Sequence, residues 1–183
     1  INAVNWPYTM GAMNVTFYAK WTANTYTINY GANGGSGTTA SSQHTYDTAS
    51  NLTASGYSRT GYSFLGWSVN QGASSASYTD GQSVLNLTAS PNDIITFYAV
   101  WALNQYSITF NSAGGSAVDT ISQLYGTPVT APVNPTRTGY TFNGWLPAVP
   151  ATTPAYDVQC VAQWTIDQYT ITFDADGGTP VRA

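Results

Sequence analysis

The sequence predicts a mainly β protein, with a small α+β contribution from one short helix, built as tandem modules in an elongated array. Three recurrences along the chain predict it. Residues 59–67 read Arg-Thr-Gly-Tyr-Ser-Phe-Leu-Gly-Trp, and residues 137–145 read Arg-Thr-Gly-Tyr-Thr-Phe-Asn-Gly-Trp. Tyr26-Thr-Ile-Asn-Tyr30 returns as Tyr106-Ser-Ile-Thr-Phe110 and as Tyr169-Thr-Ile-Thr-Phe173, each followed by a Gly-Gly pair. Val15-Thr-Phe-Tyr-Ala-Lys-Trp21 returns as Ile95-Thr-Phe-Tyr-Ala-Val-Trp101 and as Val158-Gln-Cys-Val-Ala-Gln-Trp164.

Each element follows from its own pattern. Strict alternation in the opening segments places Tyr, Ile and Tyr or Phe on one face of a strand. The pairs Gly34-Gly35, Gly114-Gly115 and Gly177-Gly178 then supply the backbone freedom of a hairpin turn. In the second copy the crossing over residues 127–135 holds three prolines, which exclude a helix there. The first copy crosses over residues 49–57 with no proline and carries a longer insert, residues 68–93, in which residues 80–87 are expected to form the short helix. The closing segments, read with period 2, turn Val15, Phe17, Ala19 and Trp21, then Ile95, Phe97, Ala99 and Trp101, then Val158, Cys160, Ala162 and Trp164 inward. The expected domains are therefore 1–21, the C-terminal part of a preceding repeat; 22–101, a long complete repeat; 102–164, a short complete repeat; and 165–183, the N-terminal part of a following one. The start at Ile1 and the two half-modules read as an excerpt of a longer array, or as end pieces that exchange strands between subunits.

Composition narrows the function. Disorder is excluded, because 43% of residues are hydrophobic and 14% aromatic. Four basic residues and a net charge of −4 leave no basic patch for nucleic acid. No apolar run reaches the roughly 20 residues that span a bilayer, and the single cysteine, Cys160, has no internal disulfide partner. A module of about 60 residues buries only ~60% of its unfolded surface, so stacking on neighbours and a dense aromatic core are the expected remedies. The rings expected in those cores are Tyr26, Tyr30, Tyr62, Phe64, Trp67, Phe97 and Trp101, then Tyr106, Phe110, Tyr140, Phe142, Trp145 and Trp164.

On these motifs the chain resembles the Listeria–Bacteroides repeat, also called the internalin-type B-repeat. The residues that carry the resemblance are Tyr169-Thr-Ile-Thr-Phe-Asp-Ala-Asp-Gly-Gly178, Tyr125-Gly-Thr-Pro-Val129, Pro135-Thr-Arg-Thr-Gly-Tyr-Thr-Phe-Asn-Gly-Trp145 and a strand ending Ala162-Gln-Trp164. The resemblance covers nearly the whole chain. It implies compact β-grasp-like units in tandem in secreted or wall-attached bacterial proteins, where they space or assist adhesive domains, and it implies no catalytic residues. Cys160 departs from the pattern, standing where the other two copies have Phe17 and Phe97.

Candidate site residues are few. His44, whose counterpart is Gln123, has no acid or nucleophile at a catalytic spacing and is expected on the strand surface. Cys160 is expected to be a buried structural thiol. Asp174-Ala-Asp176-Gly-Gly looks like a fragment of a calcium loop, but the other copies lack its carboxylates, so a plain turn is expected and no metal. Arg59 and Arg137 are expected to stack on an aromatic face or to bind a carbonyl. The non-recurring Trp6 and Tyr78 are the candidates for stacking on a ligand, a glycan above all. The expected function is a structural spacer region of an extracellular surface protein or filament supporting adhesion, with neighbouring repeats as partners. The alternative is an adhesin module that binds carbohydrate or host protein. No cofactor and no enzymatic activity are expected.

Overall fold

A computed structural model describes residues 11–178. The protein is mainly β, with two repeated modules. The first is built from β1 (Thr25–Gly31), β2 (Ser36–Gly37), β3 (Ser42–Thr45), β4 (Ser50–Asn51), β5 (Tyr57–Ser58), β6 (Tyr62–Ser68), β7 (Ser83–Val84) and β8 (Ile94–Leu103). The second is built from β9 (Gln105–Asn111), β10 (Ile121–Leu124), β11 (Tyr140–Leu146) and β12 (Val158–Ile166).

Both modules use one topology. The sheet order is β3-β1-β8-β6 in the first and β10-β9-β12-β11 in the second. The two central strands run parallel, Tyr30 beside Phe97 and Phe110 beside Cys160, and the outer strands are antiparallel to them. A parallel pair needs a long crossover. Here the chain uses that crossover to form, in chain order, the second and third strands of each four-stranded sheet, β3 and β6 in the first module and β10 and β11 in the second, and to close the far side of the core.

The core is aromatic on the face that the alternation predicts. Tyr26, Ile28, Trp67, Phe97 and Ala99 are buried, as are Ile108, Cys160 and Ala162 in the second module. Within the repeated nine-residue motif, Phe64 and Trp67 are an odd number of positions apart, which would put them on opposite faces of a regular strand. A β-bulge between Phe64 and Gly66, with Gly66 at φ 133°, turns both rings to the core, where their centroids lie 5.0 Å apart. The same bulge between Phe142 and Trp145, with Gly144 at φ 105°, brings that pair to 5.3 Å. The glycine of the motif is therefore a device for parity.

The closing tryptophans seal each module onto its opening turn. Trp101 Nε1 donates to the Ala32 carbonyl at 3.0 Å, and Trp164 Nε1 donates to that of Ser112 at 2.9 Å. Their rings lie so close over Gly35 and Gly115 that an added Cβ would stand 2.7 Å and 2.5 Å from a ring carbon.

Two expectations for secondary structure fail. No helix is present among the described residues. Within residues 80–87 the pair Ser83–Val84 instead forms a short ladder with Ser50–Asn51, and the Leu52 N–H donates to Gln82 O at 2.9 Å. Gly81 and Asn86 at positive φ, 64° and 53°, break any helical run, and burying Val84 and Leu52 outweighs local propensity. The second module makes the same closure by pairing Pro128 with Thr152. Residues 15–21 and 169–173, expected as strands, are exposed and form no ladder.

One polar group is buried at a cost. The Tyr26 hydroxyl finds no partner among the described residues. Its counterpart in the second module, Tyr106, accepts from Asn104 Nδ2 at 3.3 Å, whereas Asn24 turns its amide to Ala89 O in the insert. Tyr26→Phe is therefore expected to stabilise the protein by about 1 kcal/mol in chemical denaturation. Gly35→Ala and Gly115→Ala are expected to destabilise it by about 1 to 3 kcal/mol, because the indole must move.

Candidate functional site

Three groups of side chains recur between the modules or stand apart from the core, and the chemistry of each is decided by its surroundings. The first is His44. Register places it opposite Tyr26, so the two side chains share the core face. It is 2% exposed, which corrects the expectation of a surface residue: the edge strand was read without its neighbour. Tyr26 stacks on the imidazole at 5.4 Å and 19°. Nδ1 lies 2.5 Å from Ser50 Oγ and Nε2 lies 2.9 Å from Ser42 Oγ.

These contacts plug the space beneath the crossing. Gln123 does the same work in the second module, its Nε2 donating to Thr153 Oγ1 at 2.8 Å and to Pro128 O at 3.2 Å. Burial strips water from the ring and pushes the His44 pKa below its ordinary value. The imidazole, held between two serine hydroxyls, is committed to the core.

The second group is the pair of arginines. Arg59 lies 3.8 Å over the Tyr62 ring and Arg137 lies 3.7 Å over Tyr140. Arg137 Nη1 also donates to Ala113 O at 3.1 Å, so the guanidinium ties the opening turn to the third strand. Such a contact is worth about 0.5 to 1 kcal/mol at a partly exposed site.

The third group is the remaining candidates. Tyr78 is half-buried and stacks on Phe97 at 4.9 Å and 27°, held there because the insert folds back on Trp67, whose N–H donates to Tyr78 O at 2.8 Å. One face of its ring is thus committed to the core. Trp6 lies outside the described residues. Cys160 is fully buried, and burial pushes its thiol pKa up, which keeps it protonated. Its small side chain matches a module without an insert, since Phe97, its counterpart, is the ring that Tyr78 covers. Asp174 Oδ1 accepts from the Asp176 N–H at 3.0 Å, closing an ordinary turn. No group of three or more metal-ligating side chains occurs among the described residues.

Sequence reasoning passed over one recurring position. An Asn or Asp stands three residues after each closing tryptophan: Asn24, Asn104 and Asp167. Asn104 alone separates β8 from β9 and bonds to both modules. The signal was its recurrence, which attracts less notice than the aromatic motifs.

The His44 geometry sets a pH dependence. With its folded pKa depressed, the ring's contribution is complete above about pH 6.5 and is lost as pH falls from there through the folded value, because the unfolded chain takes up the proton first. His44→Gln is expected to flatten that acid loss while the protein stays folded, measured as denaturation midpoint against pH for both proteins.

Comparison with known proteins places these modules. The Listeria-Bacteroides repeat domain matches twice, over residues 26–100 and 106–160. The chain is 31% identical to a "Putative Gly-rich membrane protein" of Evansella cellulosilytica over 95% of its own length and 21% of that protein. It is 30% identical to a "Putative membrane protein" of the same organism over 91% of the chain and 25% of that protein. It is 33% identical to internalin H of Listeria monocytogenes over 62% of the chain and 22% of that protein. The chain thus spans a fifth to a quarter of the length of these relatives. Among the described residues, no helix is long and apolar enough to cross a membrane. Two matched copies of one fold, joined through a single residue and sealed by the same tryptophan, make this chain a tandem-repeat region that belongs to the Listeria-Bacteroides repeat family.

Proposed function

We propose that the chain is a structural spacer in an extracellular bacterial surface protein, holding other domains away from the cell and so supporting adhesion. The observation that carries this reading is the direct joining of two copies of one sheet through Asn104 alone. A connection of one residue leaves no flexible linker, so each added repeat adds length.

Other features support the same reading. The polar side chains capable of chemistry are engaged within the modules: His44 and Gln123 under the crossings, the arginines on the turns, and Cys160 in the core. A surface position is supported by the similarity to internalin H and to two membrane proteins, each matched over a minority of its length.

A display assay tests the spacing. The chain is placed between a cell-wall anchor and a terminal epitope, in one, two and four copies. Access of antibody-coated beads to the epitope is expected to rise with each added copy. Equal access at every copy number would sink the proposal.

A further inference from the structure

We propose that the Gly-Tyr turn of each repeat is a socket for the tyrosine that follows the second strand of the next repeat, and that the Asn or Asp after each closing strand clamps that contact. Gly61 shows the socket filled. The Tyr125 ring lies directly over its Cα, where an added Cβ would collide with the ring, and Gly61 is buried. Gly139, the same turn in the second module, has open space above its Cα and is only half-buried. The two glycines have nearly the same backbone, φ 77° and 75°, so the ring is the difference between them.

Asn104 shows the clamp complete. Its N–H donates to Gly61 O at 2.9 Å and its Oδ1 accepts from Ser63 Oγ at 2.8 Å, both in the first module. Its carbonyl accepts from the Tyr125 N–H at 2.9 Å and its Nδ2 donates to the Tyr106 hydroxyl at 3.3 Å, both in the second. All four polar groups of one residue are used, two on each module. Only a short side chain with its own hydrogen-bonding head reaches both ways from the single linking position.

Contacts of the clamp recur at the other two linking positions. At the far end of the second module, the Asp167 N–H donates to Gly139 O at 2.9 Å and Asp167 Oδ1 accepts from Thr141 Oγ1 at 2.7 Å, which repeats the first-module half. At the near end of the first module, Asn24 O accepts from the Tyr46 N–H at 2.8 Å, which repeats the backbone contact of the second-module half, while the Asn24 amide goes to Ala89 O. Tyr46 is the counterpart of Tyr125. The partner that fits Gly139 is therefore another repeat of this family presenting a tyrosine at that position, as Tyr46 is presented here.

The inference rests on the spacer reading and sharpens it from added length to fixed orientation. The display assay reads reach whatever the joint does, and the following experiment reads the joint whatever the reach. Residual dipolar couplings are measured on the full chain, together with the Hα shifts of Gly61 and Gly139. Wild-type protein is expected to fit one alignment tensor across both modules, with the Gly61 Hα shifted upfield by the tyrosine ring and the Gly139 Hα not. Tyr125→Ala is expected to split the couplings into two tensors and to cancel the Gly61 shift, while Tyr125→Phe keeps both. Gly61→Ala is expected to split the tensors, and Gly139→Ala, which carries the same backbone strain without a ring above it, is not. Extending the chain after Asp167 with a second copy of residues 105–166 is expected to move the Gly139 Hα upfield as well. Two tensors in the wild-type protein, one tensor in Tyr125→Ala, or an unmoved Gly139 Hα in the extended chain would each overturn the proposal.

Discussion

The rest of each module depends on the closing tryptophan lying over the second glycine of the opening turn. The parallel central pair brings together strands that are far apart in the chain, and its closure entropy must be offset by contacts that form only once it is in place. Trp101 and Trp164 provide them, each burying part of a large ring on a glycine and spending its one N–H on the carbonyl of the same turn. With that lock made, Phe64 and Phe142 meet the indoles edge-on, at 5.5 Å and 5.4 Å, and carry the third strand into the sheet.

The same frame tolerates large differences in filling. The first module has an insert, a Phe at 97 and a Tyr stacked upon it; the second has no insert and a Cys at the matching place. Under the crossing, one module uses a buried histidine between two serines and the other uses Gln123 with Thr153. Interiors accept such exchanges when volume and hydrogen bonding are both conserved across the group.

A run of modules also gains from its joints. A module of this size is marginal alone, and an interface with a neighbour adds stability to both. Joining strand to strand through one residue makes the junction part of the sheets themselves. Trp21 and Tyr169 are 89% and 80% exposed, whereas their counterparts in the first module, Trp101 and Tyr26, are half-buried and buried.

The sequence by itself determined the repeat, its register, the inward parity of the central strands of the two modules and the identity of the buried rings Tyr26, Tyr30, Trp67 and Phe97. Those features are local: alternation, glycine pairs and recurring aromatics are written in neighbouring residues. Tertiary structure alone decided the fate of three others. His44 is buried because of the strand beside it, residues 80–87 are extended because Val84 and Leu52 close the core there, and Asn104 is a clamp because two modules meet at its backbone. In each case the deciding partner is distant in the chain, so no local pattern contains it.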